Sequence, residues 1–214
     1  MSTLTAERAA LYGKAVRHLS RRDPALKALI KRVGPCTMMP VSDDPLTVLV
    51  RCVIYQQIST KAATSIFNRL AERLGGPPLP MAALLAATAD DLRACGISGP
   101  KQRAIRAVLD HAAAEAGFLA GLAALPDDEL RASVTRIKGF GPWSADMLMM
   151  FGLLRPDVLP VGDLGLRVAI RKHYGLAELP KPAEVTAIGE KWRPYRSIAT
   201  WYMWRSLDQG GEMI

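Results

Sequence analysis

Arg136-Ile137-Lys138-Gly139-Phe140-Gly141-Pro142-Trp143-Ser144-Ala145-Asp146 is the stretch on which the fold reading turns. A helix starting at Pro126 reaches about Thr135 and is spent by Ile137. Two glycines then flank one apolar residue, and Pro142 stands where a new helix can open, because a first-turn residue needs no N–H partner. Glycines permit positive φ and let a phosphate come close to the backbone. Amides around Gly139–Trp143 would stand at a helix N-terminus, whose partial positive charge favours an anion. Arg136 and Lys138 add full charges beside them, and Phe140 is placed to anchor the turn in a core. The same pattern also describes an ordinary corner between two helices, with glycines serving geometry alone. By itself the turn leaves both readings open.

Outward from this turn the chain reads as helices separated by Gly/Pro punctuation, with no sustained apolar–polar alternation. Asp44-Pro45 opens a helix that puts Leu46, Leu49, Val50, Val53 and Ile54 on one face. Ser59 caps a second helix running to about Leu74, stopped by Gly75-Gly76-Pro77-Pro78. That cluster is the expected joint between two lobes, near residues 75–80. Helices are predicted at Met81–Ala87, from a Thr88 cap to Ala94, and at about Lys101–Ala116 with Ile105, Val108, Leu109 and Ala112 inward. After the glycine turn come Pro142–Leu153, Asp163–His173, Pro182–Lys191 and Pro194–Leu207, the last carrying Trp201, Tyr202 and Trp204. About forty residues precede Asp44 and also read as helical. The expected class is all-α.

The 214 residues suffice for one compact unit or two small lobes. Half the residues are apolar and charge is moderate, as in a soluble globular chain. No apolar run approaches the roughly 18 residues of a membrane span, and Met1 to Glu7 lacks a secretory pattern. An intracellular protein is expected, in the cytoplasm or nucleoid if bacterial and the nucleus if eukaryotic. Lys and Arg outnumber Asp and Glu by 28 to 20, a balance that suits a phosphate-rich partner without requiring one. Cys36, Cys52 and Cys95 are too few and too scattered for an iron–sulfur cluster and read as buried thiols.

The run Ile137–Ala145, followed by Leu159-Pro160-Val161-Gly162-Asp163-Leu164, resembles the helix-hairpin-helix–Gly/Pro–Asp signature of DNA glycosylases. Ile54-Tyr55-Gln56-Gln57-Ile58-Ser59 and Trp192-Arg193-Pro194-Tyr195-Arg196-Ser197-Ile198-Ala199 resemble the 3-methyladenine DNA glycosylase II group in particular. The resemblance spans about Asp44 to Leu207. It implies a two-lobed helix-hairpin-helix fold with the active site in the cleft between lobes, forming a single unit over residues 1–214. Some relatives carry an extra β-rich N-terminal domain; none is expected here. The implied activity is hydrolysis of the bond between an alkylated purine (the 3-methyladenine and 7-methylguanine type) and deoxyribose in double-stranded DNA, as the first step of base excision repair. The chain is expected to act as a monomer.

On this resemblance Asp163 is the catalytic carboxylate. Breaking an N-glycosidic bond puts positive charge on the sugar, which a nearby anion stabilises while it orients or deprotonates water. Read from its neighbours alone, Asp163 is a helix N-cap, and the two roles can coexist. Asp146, read as lying on a solvated helix face, and Asp157, in a turn after Pro156, are weaker rivals. Members that also cleave the strand carry a lysine two residues after the second hairpin glycine. Here that residue is Trp143, so a monofunctional enzyme that leaves an abasic site is expected.

Chemistry on the base requires it to leave the stack. The resemblance places Trp143 and Trp204 in the pocket for the extruded base, where aromatic faces suit a cationic purine. Both also read as core tryptophans, and Trp192 and Trp201 as packing. Met147 stands where the family has a tyrosine. Gln57 falls at the place of the intercalating wedge, while Gln56 is read as holding the loop. Gly139, Gly141, Lys138, Trp143 and Ser144 are the expected phosphate-binding residues. Backbone carbonyls of Thr135, Ile137 and Phe140 are implied as the seat of a sodium or potassium ion, with no other cofactor and no metal held by side chains. Lys191, Arg193 and Arg196 read either as phosphate contacts or as salt bridges, and Lys101–Arg106 as another basic stretch. Two alternatives stay open: a glycosylase for oxidised or deaminated bases, and a non-catalytic DNA-binding protein that keeps the hairpin.

Overall fold

The structure, a computed structural model, describes residues 3–207. All regular secondary structure among these residues is helical. In chain order the helices are α1 (Thr3–Arg22), α2 (Pro24–Val33), α3 (Pro45–Tyr55), α4 (Thr60–Leu74), α5 (Met81–Ala86), α6 (Ala89–Ala94), α7 (Gly99–Ala114), α8 (Phe118–Gly121), α9 (Asp127–Thr135), α10 (Pro142–Met147), α11 (Leu164–Tyr174), α12 (Pro182–Gly189) and α13 (Arg196–Arg205). No single described helix is long and apolar enough to cross a membrane.

The sequence signals for helix starts act as expected. Asp44 accepts the Thr47 amide at 2.8 Å and the Thr47 hydroxyl at 2.5 Å, and Pro45 takes the first turn of α3. Ser59 accepts the Ala62 amide at the head of α4, and Thr88 and Asp91 form a reciprocal capping box on α6. The predicted stripe of α3 is buried, but Val48, Cys52 and Tyr55 are buried too. In place of an amphipathic helix the structure has an enclosed central one, as its nearly continuous apolar sequence allows.

The described chain falls into two compact units, residues 3–39 with 155–207, and residues 40–154. The first is therefore built from two separated stretches of sequence. The expected joint at Gly75-Gly76-Pro77-Pro78 lies inside the second unit. There Gly75, at φ +93°, ends α4, and the turn delivers the Leu79 amide to the Thr47 hydroxyl of α3 at 2.8 Å. What reads as a linker is a turn pinned to the central helix.

In the first unit Asp23 joins the two stretches. It is 1% exposed and caps α2 through the Ala25 and Leu26 amides at 2.9 and 3.2 Å. Its carboxylate also accepts from Trp192 Nε1 at 2.8 Å, Lys191 Nζ at 3.2 Å and the Tyr174 hydroxyl. Burial alone would raise the acid's pKa. The Tyr174, Trp192 and Leu26 hydrogen bonds and the Lys191 charge outweigh burial and hold it below the usual aspartate range.

Candidate active site

The glycine turn lies in the second unit between α9 and α10. Gly139 has φ +95°, and a Cβ there would stand 2.5 Å from the Ala104 Cβ of α7. Both the backbone conformation and the close approach of α7 demand glycine. Gly141 is different: its φ is −114° and nothing stands within 4 Å of an added Cβ. The expectation that both glycines serve positive φ holds only for the first. The second leaves the surface of the turn open. Phe140 is buried beneath it, as expected, while Lys138 and Arg136 are exposed.

The loop after α3 is fastened to this turn by Gln56, whose Nε2 donates to the Gly139 carbonyl at 3.2 Å and to the Ser144 hydroxyl at 3.3 Å. Gln57, next in sequence, is exposed and holds φ +59°. A left-handed backbone at a residue with a side chain costs about 1 kcal/mol. One glutamine is thus the fastener, and the other is displayed on a strained loop beside the glycine turn. Ile58, also exposed, follows it.

Asp163 belongs to the first unit. The Pro160 carbonyl accepts the Asp163 amide at 2.9 Å, closing the turn that leads into α11. Asp163 Oδ1 accepts the Leu166 amide at 2.6 Å, so the residue is the N-cap of α11. The same oxygen accepts Trp204 Nε1 of α13 at 2.7 Å. Asp163 stays half-exposed while Trp204 is buried. Gly165 makes the arrangement possible: a Cβ there would lie 3.2 Å from Asp163 Oδ1 and from Trp204 Nε1 and Cδ1. Such contacts are tighter than carbon normally makes.

A family model for HhH-GPD superfamily base excision DNA repair proteins matches residues 50–194, which contain the glycine turn, Gln57 and Asp163. The chain belongs to the HhH-GPD superfamily. Curated relatives include the alkylbase DNA glycosidase-like protein mag2 of Schizosaccharomyces pombe, 30% identical over 91% of this chain and 93% of that one. DNA-3-methyladenine glycosylase 1 of the same organism is 33% identical over 90% of this chain and 86% of its own. A solved structure of the Schizosaccharomyces pombe 3-methyladenine DNA glycosylase in complex with abasic DNA matches with a TM-score of 0.82 at 33% identity. That match covers 90% of this chain and 96% of the other. The DNA-3-methyladenine glycosidase of Bacillus halodurans matches at 0.75 and 31% identity, covering 91% and 89%.

Several residues of this HhH-GPD chain lie elsewhere than their sequence context suggests. Ser144, expected among the phosphate donors, is 1% exposed; its amide donates to the Gly141 carbonyl at 3.0 Å and its hydroxyl meets Gln56. Met147, expected to line the base pocket, is fully buried, because it faces the interior of the second unit. Asp146 is not on a solvated face: it is buried and paired with Arg131 of α9 at 2.9 Å. The predicted helix Pro142–Leu153 changes character at Leu148, continuing as a π-helical turn to Gly152. A Cβ at Gly152 would press on Leu148 and on Val48 of α3.

Most candidate phosphate-binding cations are occupied. Arg193 and Arg196 both pair with Asp157, and Lys191 with Asp23. Lys101 Nζ donates to the Ile54 carbonyl at the end of α3 at 2.5 Å, and burial lowers its pKa. Arg106 serves the carbonyls of Leu85 and Ala87. Trp192 and Trp201 are packing residues, as read from sequence. The three cysteines are free and buried.

Two residues at the site are not signalled by the sequence. Gly165 carries a signal only in hindsight, as a glycine in the first turn of a helix where better helix formers abound. Leu164, beside Asp163, is 61% exposed, an apolar side chain shown to solvent next to a carboxylate. Among the described residues no group of three or more His, Cys, Asp or Glu could hold a metal ion. At the hairpin the Ile137 carbonyl accepts the Phe140 amide at 3.0 Å, and its second lone pair is compatible with a weakly held cation.

Proposed function

We propose that the protein is a monofunctional DNA glycosylase that hydrolyses the bond between an alkylated purine and deoxyribose in double-stranded DNA. The observation that carries this reading is the Asp163 carboxylate, half-exposed yet fixed by the Leu166 amide and the Trp204 indole, in a chain of this superfamily. The relatives named 3-methyladenine glycosylases support the choice of alkylated purine.

In this reading the glycine turn and Lys138 grip a backbone phosphate, Gln57 fills the gap left by the extruded nucleotide, and Trp143 offers its face to the base. Trp204 then has a second task, since its N–H orients the carboxylate. As the C1′–N bond lengthens its electron pair leaves with the base, and positive charge develops on the sugar facing Asp163. Water bonds to C1′ and gives up its proton, which Asp163 is placed to accept. A methylated, cationic purine departs neutral and needs no strong general acid. Trp143 offers no amine, so no covalent adduct forms. Carbonyls of Thr135, Ile137 and Phe140 would hold a monovalent cation, whose contribution is positive charge beside the gripped phosphate.

The test uses duplexes with a single 7-methylguanine, 8-oxoguanine or hypoxanthine. Release of 7-methylguanine, with strand breakage only after alkali and no borohydride-trapped adduct, is the expected result. Preferential release of 8-oxoguanine, or a trapped adduct, contradicts it. Binding to all three without release of any base favours the non-catalytic alternative.

A further inference from the structure

Helix α1 carries a second feature that the proposed chemistry does not use. Lys14, Arg17, His18 and Arg21 follow at i, i+3, i+4 and i+7, and Arg22 extends the row. Helical spacing puts them on one face, apart from the buried face of Tyr12, Ala15 and Leu19. Together with Tyr195 they line an open groove of about 440 Å³. Four of these six side chains are full cations and none is acidic. No ion pair engages Lys14, Arg17, Arg21 or Arg22 among the described residues.

Three basic residues elsewhere in the first unit are compensated. Arg193, Arg196 and Lys191 all have carboxylates within 3.2 Å. Like charges one helical turn apart are mutually destabilising by about a few tenths of a kcal/mol each. Arg21 and Arg22 gain something from the carbonyl end of α1, but Lys14 and Arg17 lie too far from that end to do so. His18 sits in the groove with its ring edge against Tyr195, centroids 5.4 Å apart, and its Nε2 is buried without a hydrogen-bond partner. An unsatisfied buried ring nitrogen and an uncompensated row of cations are both relieved by one kind of guest, an anion rich in oxygen.

We propose that this groove is a second phosphate-binding site, taking the sugar–phosphate backbone of DNA away from the damaged nucleotide. The row from Lys14 to Arg22 runs about 12 Å along the helix. That is the length of about three base-pair steps of one strand, so successive phosphates can each meet a cation, with the Tyr195 hydroxyl and a His18 ring N–H as further donors. The groove is open rather than enclosed, which suits a continuous chain. The inference rests on DNA being the partner but not on base release, and the experiment is chosen accordingly.

Binding of the full chain to a short undamaged duplex is measured as a function of salt between about 50 and 200 mM. Wild type is compared with Arg17→Gln/Arg21→Gln, Arg17→Lys/Arg21→Lys and Arg93→Gln. Each phosphate that is no longer neutralised lowers the slope of log K against log salt by about 0.9, so the double glutamine variant is expected to lose roughly 1.8. The lysine variant should keep most of the slope. Arg93 is exposed and paired with Asp90 in the other unit, and its variant should keep all of it. An unchanged slope in the double glutamine variant, or an equal loss per charge in Arg93→Gln, overturns the proposal. Inorganic phosphate is the second probe. If it raises the melting temperature of wild type but not of Arg17→Gln/Arg21→Gln, while the duplex slope stays put, the groove serves free phosphate and the DNA assignment falls. A protein that releases no base but shows the loss of slope would keep this site and lose the proposed chemistry.

Discussion

Replacing Gly165 by alanine separates catalysis from folding with a single methyl group. An added Cβ stands 3.2 Å from Asp163 Oδ1 and from the Trp204 indole atoms Cδ1 and Nε1, so the carboxylate, the indole or both must retreat by a few tenths of an ångström. The bond between them is now 2.7 Å, and such a retreat takes it toward the weak end of the hydrogen-bond range. Misplacing a reacting group by a full ångström costs about a hundredfold; a shift of this smaller size should slow base release about tenfold, or about 1.4 kcal/mol. Stability should move differently. Alanine is favoured over glycine in a helix by up to about 1 kcal/mol, which offsets the crowding, so the melting temperature should stay within about 3 °C. The assay is single-turnover release of 7-methylguanine at saturating enzyme, paired with thermal unfolding. An unchanged rate refutes the reasoning, and so does a slow rate explained by a collapsed melting temperature.

Asp23→Asn should cost about 3 kcal/mol, because an amide N–H₂ would face donors that now share a carboxylate, and urea unfolding reads this directly. The same carboxylate predicts a pH dependence. Its folded pKa lies below the ordinary 3.8, so its stabilisation is complete above that value. As the pH falls below it the unfolded chain takes up the proton first and stability is lost down to the depressed folded value; Asp23→Asn should flatten this acid limb in unfolding curves. Gln57→Gly should leave the melting temperature nearly unchanged, since relief of a left-handed residue offsets the greater entropy of the unfolded chain. It should still slow base release severalfold and weaken binding to abasic duplex. Equal binding by Gln57→Gly and wild type would remove Gln57 from the DNA interface.

How much of this is legible in the sequence depends on the range of the interaction. Helix starts at Asp44-Pro45, Ser59 and Thr88 are decided within three residues, so caps and prolines reveal them. The turn at Gly139 and the cap at Asp163 are local in the same sense. Asp146 reads as solvated because its partner, Arg131, lies on the preceding helix, and Arg193 and Arg196 find Asp157 more than thirty residues away. No local charge pattern records such pairings. The lobe joint misleads for a related reason. Gly75-Gly76-Pro77-Pro78 has the composition of a linker, yet whether a turn is free or fastened depends on Thr47, which the composition does not mention. Met147 and Ser144 are assigned to the base pocket and to phosphate binding by resemblance, which does not say which side chains the neighbouring helices cover. The bond from Trp204 to Asp163, and the glycine that admits it, emerge only when α11 and α13 are seen together.

The central claim is that the charge on Asp163 does chemical work beyond capping α11, and Asp163→Asn tests it most directly. Asparagine is as good an N-cap as aspartate and keeps an oxygen for the Leu166 amide and the Trp204 indole, so the cap survives while the charge, and with it the acceptor for the water's proton, is removed. A unit charge about 4 Å from the sugar, at an effective dielectric of about 20, is worth about 4 kcal/mol, or roughly a thousandfold in rate. The measurement is single-turnover release of 7-methylguanine by wild type and Asp163→Asn, with folding and abasic-DNA binding checked in parallel. A loss of about that size with fold and binding intact is the predicted result; release within a few-fold of wild type would contradict the account.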